Sequence, residues 1–271
     1  MSTHDCEACP AHAHLAQMGL EVGRADRVVG LAGNPNTGKS TLFNALTGLR
    51  QHTGNWPGKT VARAEGGFRF NGVRYKLVDL PGTYSLLSAS QDEEVARDFL
   101  LFGAPDCTIV VADATALERN LNLVLQVLEI TDRAVVAVNL MDEARRKGLE
   151  VDVRTLAKDL GVPAIPVVAR TGEGMQALLA SVAGVSSGEM ATSPRRVTGT
   201  ADANAAIAEL VPMIEAAAPG VPNARWIAIR LLDGDRRVEG ALRTGELRAL
   251  VERQARPDAR FSRKIALQGA Q

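Results

Sequence analysis

The chain has 271 residues, 46% of them hydrophobic, which is enough for one large domain or for one domain with a small companion. Its 31 basic and 31 acidic side chains cancel, which argues against a broad nucleic-acid-binding surface. Three cysteines give no disulfide framework, and no stretch approaches the roughly 18–20 apolar residues that span a bilayer. We therefore expect a soluble chain with a real hydrophobic core.

Residues 1–25 lack a periodic apolar pattern, and we expect them to form a flexible N-terminal tail. This segment contains Cys6 and Cys9, followed by His12 and His14, four side chains of the types that bind Zn²⁺ tetrahedrally. The two pairs lie much closer together than in a zinc finger. Two interpretations therefore stay open, a tail without a stable site and a metal-responsive segment.

A strand, a glycine-bounded loop and a helix come next. Residues 27–32 are an apolar strand, residues 33–41 read Gly-Asn-Pro-Asn-Thr-Gly-Lys-Ser-Thr, and a helix continues to Thr47. This order predicts a phosphate-binding P-loop, whose backbone N–H groups and helix N-terminus face the phosphates. We expect Lys39 to reach the β- and γ-phosphates and Ser40 to bind Mg²⁺. The candidate phosphate-binding residues are Gly33, Asn34, Pro35, Asn36, Thr37, Gly38, Lys39, Ser40 and Thr41.

The loop after this helix is a candidate switch. Residues 49–62 contain two glycines, a proline and an asparagine, a composition typical of a loop that can move. Thr60 lies within it. A threonine at this place can close over the γ-phosphate and give Mg²⁺ a second hydroxyl ligand.

A hairpin around Asn71-Gly72 then leads into a strand that ends in Asp79-Leu80-Pro81-Gly82. An Asp at the end of a buried strand, with a glycine three residues on, indicates a magnesium-binding and γ-phosphate-sensing element. We expect Asp79 to supply charge to the metal shell, and the Gly82 N–H to bond the γ-phosphate beside Pro81. Residues 83–91 predict a second mobile loop, and residues 92–102 a helix.

The base-reading sequence follows the strand predicted at residues 134–138. Asn139, Met141 and Asp142 belong to an Asn-x-x-Asp sequence at the carboxyl end of that strand. The Asp carboxylate can accept from the ring N1–H and the exocyclic amine of guanine, a donor pair that adenine does not present. A site built on such bonds rejects the wrong base strongly. This sequence therefore predicts guanine nucleotides, GTP and GDP, as ligands.

The remaining elements complete an alternation of strands and helices. A mostly parallel sheet with helices on both faces follows, an α/β fold whose ligand loops lie at the carboxyl ends of the strands. After the last strand, Ala169 and Arg170 would bring a backbone N–H to the guanine O6. The predicted elements are a strand at 108–112, a helix at 117–130, a helix at 152–160, a strand at 162–168 and a closing helix at 174–182.

We place the domain boundaries from composition. The main domain spans residues 26–184, and residues 185–200, rich in Gly, Ser and Thr, predict a linker. Residues 201–271 then predict a small all-α domain. An excess of Arg and Lys in its second half fits solvated helix faces, or a surface near anionic lipid or an acidic partner. Its predicted helices are 201–218, a short helix within 225–235 ended by Gly234, and 244–256, the last with Thr244 as N-cap and Pro257 just beyond its end.

Four sequence stretches together resemble one family. These are the P-loop, Gly-Asn-Trp-Pro-Gly-Lys-Thr-Val at 54–61, Asp-Leu-Pro-Gly-Thr-Tyr-Ser-Leu at 79–86 and Asn-Leu-Met-Asp at 139–142. They resemble the cytosolic GTPase portion of the ferrous iron transport protein B (FeoB) family, and residues 225–235 resemble that family's helical spacer domain. The family normally continues into a multi-span membrane region, which this sequence does not contain. Either an excised portion or a free-standing relative fits.

The resemblance implies a Ras-like P-loop GTPase that regulates Fe²⁺ uptake across the bacterial inner membrane from its cytoplasmic side. Its expected partners are GTP or GDP and a membrane-embedded iron permease region, in the same or a separate chain. A second copy of the chain is a further candidate partner, and nucleic acid is not expected. The family often has a small hydroxyl residue where this chain has Ala169, which implies a looser grip on guanine.

The chemistry of hydrolysis needs a group beyond these motifs. Ras-like GTPases have a glutamine after Asp-x-x-Gly that orients the attacking water, and Thr83 here is too short for that role. In GTPases that this P-loop resembles, an asparagine at the position of Asn36 helps hold K⁺ against the phosphates. Asn36 could instead only brace the loop. The candidate catalytic residues are Lys39, Asn36, Thr60 and Gly82; the cofactors are Mg²⁺, at Ser40, Thr60 and Asp79, and K⁺, at Asn36.

Two other functions share the core loops. A GTPase of ribosome assembly or tRNA modification would carry an appendage with clustered basic and aromatic residues, and the C-terminal helices have almost no aromatics beyond Trp226 and Phe261. A non-hydrolysing module that only reads nucleotide state would have lost its chemical groups. Lys39, Ser40, Thr60 and Asp79 are all intact, which argues for a working enzyme.

Overall fold

The computed structural model describes residues 20, 25–49, 51–87, 90–196, 198–221 and 223–249. The described chain divides into two compact units, one ending at Gly199 and the other beginning at Thr200.

The first unit is built on a seven-stranded sheet with the order β2-β3-β4-β1-β5-β6-β7. β1 pairs in parallel with β4 and β5, and β5, β6 and β7 continue the parallel arrangement, whereas β2 and β3 are antiparallel. The predicted α/β sheet is therefore confirmed. The strands are β1 Arg27–Gly33, β2 Gln51–Asn55, β3 Ala62–Phe70, β4 Val73–Asp79, β5 Cys107–Asp113, β6 Ala134–Asn139 and β7 Ala164–Pro166.

Helices pack on both faces of this sheet, because neighbouring residues of a strand point to opposite sides. Val29 and Leu31 of β1 belong to a buried cluster with Leu42 and Phe43 of the helix after the P-loop. Gly30, between them, faces the other side, where the Phe99 ring would lie 3.0 Å from an added Cβ. The helices are α1 Lys39–Thr47, α2 Gln91–Asp98, α3 Leu117–Ile130, α4 Met141–Arg146, α5 Val153–Leu160 and α6 Met175–Ser187, with a π-helical turn Phe99–Gly103 and a 3₁₀ turn Ala114–Ala116.

Three predictions for this unit need correction. The stretch predicted as a loop at 49–62 contains the edge strand β2, which pairs with β3 from Gln51 opposite Gly66 to Asn55 opposite Ala62. The helix predicted at 92–102 begins one residue earlier, and its last turn, Phe99–Gly103, is π-helical. The last strand shortens to Ala164–Pro166.

The predicted linker at 185–200 is wrong at its start and is held against the first unit in its middle. Residues 185–187 belong to α6, which ends at the left-handed Gly188. Beyond it, Ser193 N donates to Gly161 O at 2.9 Å and Thr192 Oγ1 donates to Asp132 O at 2.5 Å. These bonds fix the segment without regular structure, so a composition rich in small polar residues does not by itself indicate a free linker.

The second unit is helical, as predicted, with helices α7 Ala201–Ala217, α8 Ala224–Leu232 and α9 Arg236–Arg243. The sequence interpretation missed α9, which Asp235 caps by accepting from the N–H groups of Arg237 and Val238. Thr244 is the C-cap of α9 and not the predicted N-cap. The next helical turn occupies the described residues 246–249, and the end predicted near residue 256 lies outside the described residues.

Candidate nucleotide-binding site

The P-loop follows β1 at the carboxyl ends of the parallel strands. Its two glycines lie where an added Cβ would collide with neighbouring atoms. Gly38 has a φ of 78°, and a Cβ there would lie 2.4 Å from the Asn139 side chain. A Cβ on Gly33 would lie 2.8 Å from Val111 O. The loop is closed by Thr37 Oγ1, which donates to Asn34 O at 2.9 Å. The loop is therefore tightly closed, the kind of backbone in which successive N–H groups can cradle a phosphate.

Two asparagines of the loop differ in their surroundings. Asn34 is 1% exposed, and both polar atoms of its side chain are buried without a hydrogen-bond partner in the described part of the chain. Asn36 is exposed and has a φ of 65°, a left-handed conformation that asparagine tolerates. The Asn36 side chain is thus accessible to a ligand, together with the exposed Ser40 and Thr41 in the first turn of α1.

Lys39 is the residue that joins the P-loop to β4. Its ammonium donates to the Asp79 carboxylate and, at 2.8 Å, to the carbonyl oxygen of Leu80. Burial raises the pKa of the Asp79 carboxyl, and the charge and hydrogen bond of Lys39 partly offset that shift. The structure therefore brings the predicted phosphate-binding lysine and the predicted magnesium-binding aspartate into direct contact.

The loop after Asp79 lies on the P-loop. Leu80 N donates to Leu31 O at 2.9 Å, and a Cβ on Gly82 would lie 3.5 Å from the backbone nitrogen of Pro35. Pro81 lies in sequence between Leu80 and Gly82, the residues that make these two contacts. The backbone of Gly82 is therefore beside the phosphate loop, where its N–H can serve a γ-phosphate.

Asn139 connects the two halves of the site. It is 1% exposed; its Nδ2 donates to Thr37 O at 2.9 Å, and its Oδ1 accepts from Ala169 N at 3.0 Å. Leu140 follows with a φ of 62°, so the chain turns sharply into α4. Asn139 thus braces the P-loop against the Ala169 loop.

Asp142 lies in the first turn of α4 beside Arg170, whose Nη2 is 3.2 Å from Asp142 Oδ2. The other carboxylate oxygen, Oδ1, is buried and has no hydrogen-bond partner among the described residues. Partial burial, the largest influence, raises the pKa of this carboxyl, but the hydrogen bond and charge of Arg170, helped by nearby backbone N–H groups, outweigh it and lower the pKa below its ordinary value. An ionised carboxylate with a free acceptor is what guanine recognition needs.

Thr60 is placed by contacts with α2. It is exposed, and its hydroxyl donates to Gln91 Oε1 at 3.2 Å, while the neighbouring Lys59 pairs with Glu94. The sequence interpretation singled out Thr60 but gave no role to Gln91 or Glu94. No motif marks these two side chains, and only the folded arrangement of loop and helix brings them to Thr60 and Lys59.

The Cys6, Cys9, His12 and His14 tail lies outside the described residues. Within the described ranges there is no group of three or more His, Cys, Asp or Glu side chains that could hold a metal ion. Cys107 is a buried free thiol whose pKa is raised, chiefly by burial. Among the same residues, none of the helices is both long and apolar enough to cross a membrane.

The sheet, the P-loop and the Asn-x-x-Asp sequence after β6 define the G domain of a P-loop GTPase. The family model of ferrous iron transport protein B matches residues 27–182, and that of the FeoB cytosolic helical domain matches residues 200–262. The chain therefore belongs to the ferrous iron transport protein B (FeoB) family.

Individual relatives agree with this assignment. The Fe(2+) transporter FeoB of Salmonella typhimurium is 40% identical over 213 residues, which are 76% of this chain and 27% of the relative; that of Escherichia coli K12 is 39% identical over the same span. The chain thus covers about a quarter of the length of these curated relatives. Among solved structures, the cytosolic domain of L. pneumophila FeoB is 35% identical with a TM-score of 0.71, covering 85% of this chain and 90% of that one. The apo cytosolic domain of T. maritima FeoB has a TM-score of 0.73 at 35% identity, with 83% and 92% covered.

Proposed function

We propose that this chain is a GTP-hydrolysing switch that regulates Fe²⁺ uptake across the bacterial inner membrane, acting at its cytoplasmic face. The observation that carries the proposal is the double hydrogen bond of Asn139, which holds the P-loop and the Ala169 loop together next to Asp142. The residues proposed to bind phosphate and guanine would thus form one site, in a chain of the FeoB family.

In this site the protein groups bind and orient the nucleotide. The Lys39 ammonium would move from Asp79 and Leu80 to the β- and γ-phosphate oxygens. The Gly82 N–H would bond the γ-phosphate, and the free Oδ1 of Asp142 would accept from guanine. The Ala169 N–H is already bonded to Asn139 Oδ1, so the backbone N–H near the guanine O6 would come from Arg170. These contacts fix the phosphates in line for attack by water.

The oxygen ligands fit Mg²⁺, a hard cation. Ser40 is an exposed hydroxyl next to Lys39 in sequence, Asp79 is a carboxylate in contact with Lys39, and Thr60 belongs to the loop at the same edge. Mg²⁺ bound there would neutralise charge on the β- and γ-phosphates. The exposed side-chain oxygen of Asn36 is likewise a suitable ligand for K⁺.

The partner in transport would be a membrane-embedded iron permease region, in the same or a separate chain. The relatives named Fe(2+) transporter FeoB are much longer than this chain, which supports that partner. The ribosome-assembly or tRNA-modification alternative is not favoured, since both domains match FeoB models. Self-association of the chain stays a prediction.

The test has two arms. Phosphate release from GTP, compared with ATP, should be seen for the wild type and should be lost in Lys39→Ala. In cells, Lys39→Ala should lower the initial rate of radiolabelled ferrous iron uptake at equal protein level. Tight GTP binding without phosphate release would contradict the enzymatic part, and unchanged iron uptake in Lys39→Ala would contradict the transport part.

A further inference from the structure

Helix α2 contacts the Thr60 loop at two neighbouring points. Thr60 Oγ1 donates to Gln91 Oε1 at 3.2 Å, and the Lys59 ammonium forms an ion pair with the Glu94 carboxylate. Gln91 and Glu94 are three residues apart, so they lie on the same face of the helix. Two consecutive residues of the loop are thus bound by the first turn of α2.

The loop itself is a closed turn with a buried anchor. Trp56 N donates to Val61 O at 2.9 Å, and Lys59 N donates to Trp56 O at 3.0 Å. The Trp56 side chain is 3% exposed, and its ring meets Phe99 edge to face with centroids 5.8 Å apart. Phe99 directly follows α2 in the chain. Residues 56–61 are therefore held to α2 and its continuation as one unit.

Residues 56–61 lie at the edge of the sheet that carries the candidate nucleotide-binding residues. β3 runs antiparallel to β4, and Ala64 pairs with Asp79, the last residue of β4. Thr60, four residues before Ala64, therefore continues beyond the carboxyl end of β4, on the same side as Asp79 and the P-loop. A contact that fixes Thr60 thus acts at the ligand-binding edge of the sheet.

We propose that Gln91 and Glu94 are positioning residues that orient the Thr60 hydroxyl for Mg²⁺, an inference that rests on the proposed role of Thr60 as a magnesium ligand. A hydroxyl has one proton to donate and two lone pairs to offer. With its proton on Gln91 Oε1, Thr60 Oγ1 presents its lone pairs away from Gln91. The ion pair with Glu94 holds Lys59, the residue before Thr60. This second contact limits rotation of the loop about the Thr60–Gln91 hydrogen bond. Hydrogen-bonded partners of metal ligands act in this way in many metal sites.

The proposal is tested by a Mg²⁺ titration of the binding of a non-hydrolysable GTP analogue, which reads ligand geometry without turnover. Gln91→Ala should raise the Mg²⁺ midpoint by about tenfold, the low end for loss of such a partner. Gln91→Glu retains an oxygen acceptor and should restore most of the affinity. Asp92→Asn is the control, since it changes an exposed side chain in the same turn of α2. An unchanged midpoint in Gln91→Ala would overturn the proposal.

Charge exchange tests the second contact. Lys59→Glu and Glu94→Lys should each speed amide hydrogen exchange of residues 56–61 and raise the Mg²⁺ midpoint, up to about fivefold for a partly exposed pair. The double variant Lys59→Glu/Glu94→Lys restores opposite charges and should reverse both effects. Equal exchange rates in all four proteins would show that the pair does not hold the loop.

Thr60→Ala separates this inference from the proposed function. If Thr60→Ala raises the Mg²⁺ midpoint and Gln91→Ala does not, only the positioning role fails. If Thr60→Ala leaves the midpoint unchanged, Thr60 is not a magnesium ligand and both fail. A similar rise in the two variants, with GDP affinity in the absence of Mg²⁺ unaltered, is the expected result.

Discussion

Lys39 and Asp79 form an ion pair at the point where the P-loop meets the end of β4, and Lys39 also donates to the carbonyl oxygen of Leu80. The lysine that would bind phosphate and the aspartate that would serve Mg²⁺ therefore neutralise each other. When a magnesium nucleotide binds, Lys39 would contact phosphate oxygens in place of Asp79, and Asp79 would serve Mg²⁺ in place of Lys39. Binding of nucleotide and binding of Mg²⁺ should thus depend on each other through Asp79.

Asp79→Asn tests this dependence. The variant should bind GDP without Mg²⁺ about as well as the wild type, but Mg²⁺ should strengthen its binding at least about tenfold less, because an amide oxygen is a weaker ligand for a hard cation. Since burial raises the pKa of Asp79, the wild-type Mg²⁺ effect should fade on acidification earlier than for an exposed aspartate. Dissociation constants of fluorescent GDP measure both effects. Asp106→Asn, just before β5 at the amino ends of the parallel strands, is the control and should keep the wild-type Mg²⁺ effect. A Mg²⁺ effect in Asp79→Asn equal to that of the wild type would show that Asp79 does not serve Mg²⁺.

Base selectivity should depend on Asp142. Asp142→Asn exchanges an acceptor for a partly donating group, so binding should shift from guanine toward xanthine nucleotides. Hydrogen bonds to a charged group contribute about 1.5–3 kcal/mol, which predicts a loss of GDP affinity of about tenfold or more. Fluorescent GDP and XDP titrations measure the preference. Glu143→Gln, the adjacent carboxylate in α4, should leave it unchanged; an unaltered preference in Asp142→Asn would exclude Asp142 as the base reader.

The two glycines that flank α1 should differ in their tolerance of a side chain. Gly38 and Gly48 both have positive φ, 78° and 62°, so alanine costs about 1–2 kcal/mol of backbone strain at either position. Only Gly38 also has Asn139 at 2.4 Å from an added Cβ, whereas Gly48 has open space around it. Gly38→Ala should therefore break the Asn139–Thr37 hydrogen bond and abolish GDP binding. Gly48→Ala should retain both. Urea unfolding and GDP titration of the pair decide this.

Most of the fold was predictable because the buried strands carry uninterrupted apolar runs. The predicted bounds of β6 and α3, residues 134–138 and 117–130, agree with the structure to within one residue. β2 was missed because its residues, Gln-His-Thr-Gly-Asn, are polar and lie at a sheet edge, where backbone pairing with β3 alone defines the strand. Periodicity of side chains gives no signal for such a strand.

The site divides in the same way. The P-loop, Asp79 and Asp142 could be predicted because each follows a strand in the expected order. The contacts of Gln91 with Thr60 and of Arg170 with Asp142 could not, since they join residues 31 and 28 positions apart across loops. Thr244 was misassigned because a threonine before a helical run resembles an N-cap, although α9 already ends there.

The N-terminal cysteine and histidine cluster can be tested by elemental analysis. If Cys6, Cys9, His12 and His14 form a site, a variant lacking residues 1–25 should lose about one equivalent of Zn²⁺ or Fe²⁺ after dialysis, since four such ligands complete a tetrahedral site. GTP turnover should persist. The absence of metal from the full-length chain would instead support the flexible-tail interpretation.

The last prediction concerns the charge that replaces a missing catalytic group. Thr83 follows Gly82 where Ras-like GTPases have a glutamine, and it is buried, at 5% exposure. Negative charge that builds between the β- and γ-phosphates therefore needs another positive partner. Asn36 is exposed within the P-loop, and its side-chain oxygen is a hard ligand suited to K⁺.

Hydrolysis should accordingly be faster in K⁺ than in Na⁺ at equal ionic strength, by about tenfold if K⁺ contributes about 1.4 kcal/mol to the transition state. Asn36→Ala should remove the difference and retain GDP binding, because the backbone cradle and Lys39 stay in place. Asn122→Ala, an exposed asparagine of α3, is the matched control and should keep the K⁺ effect. Phosphate release in the two salts measures all three proteins. Equal wild-type rates in K⁺ and Na⁺ would show that Asn36 only braces the loop.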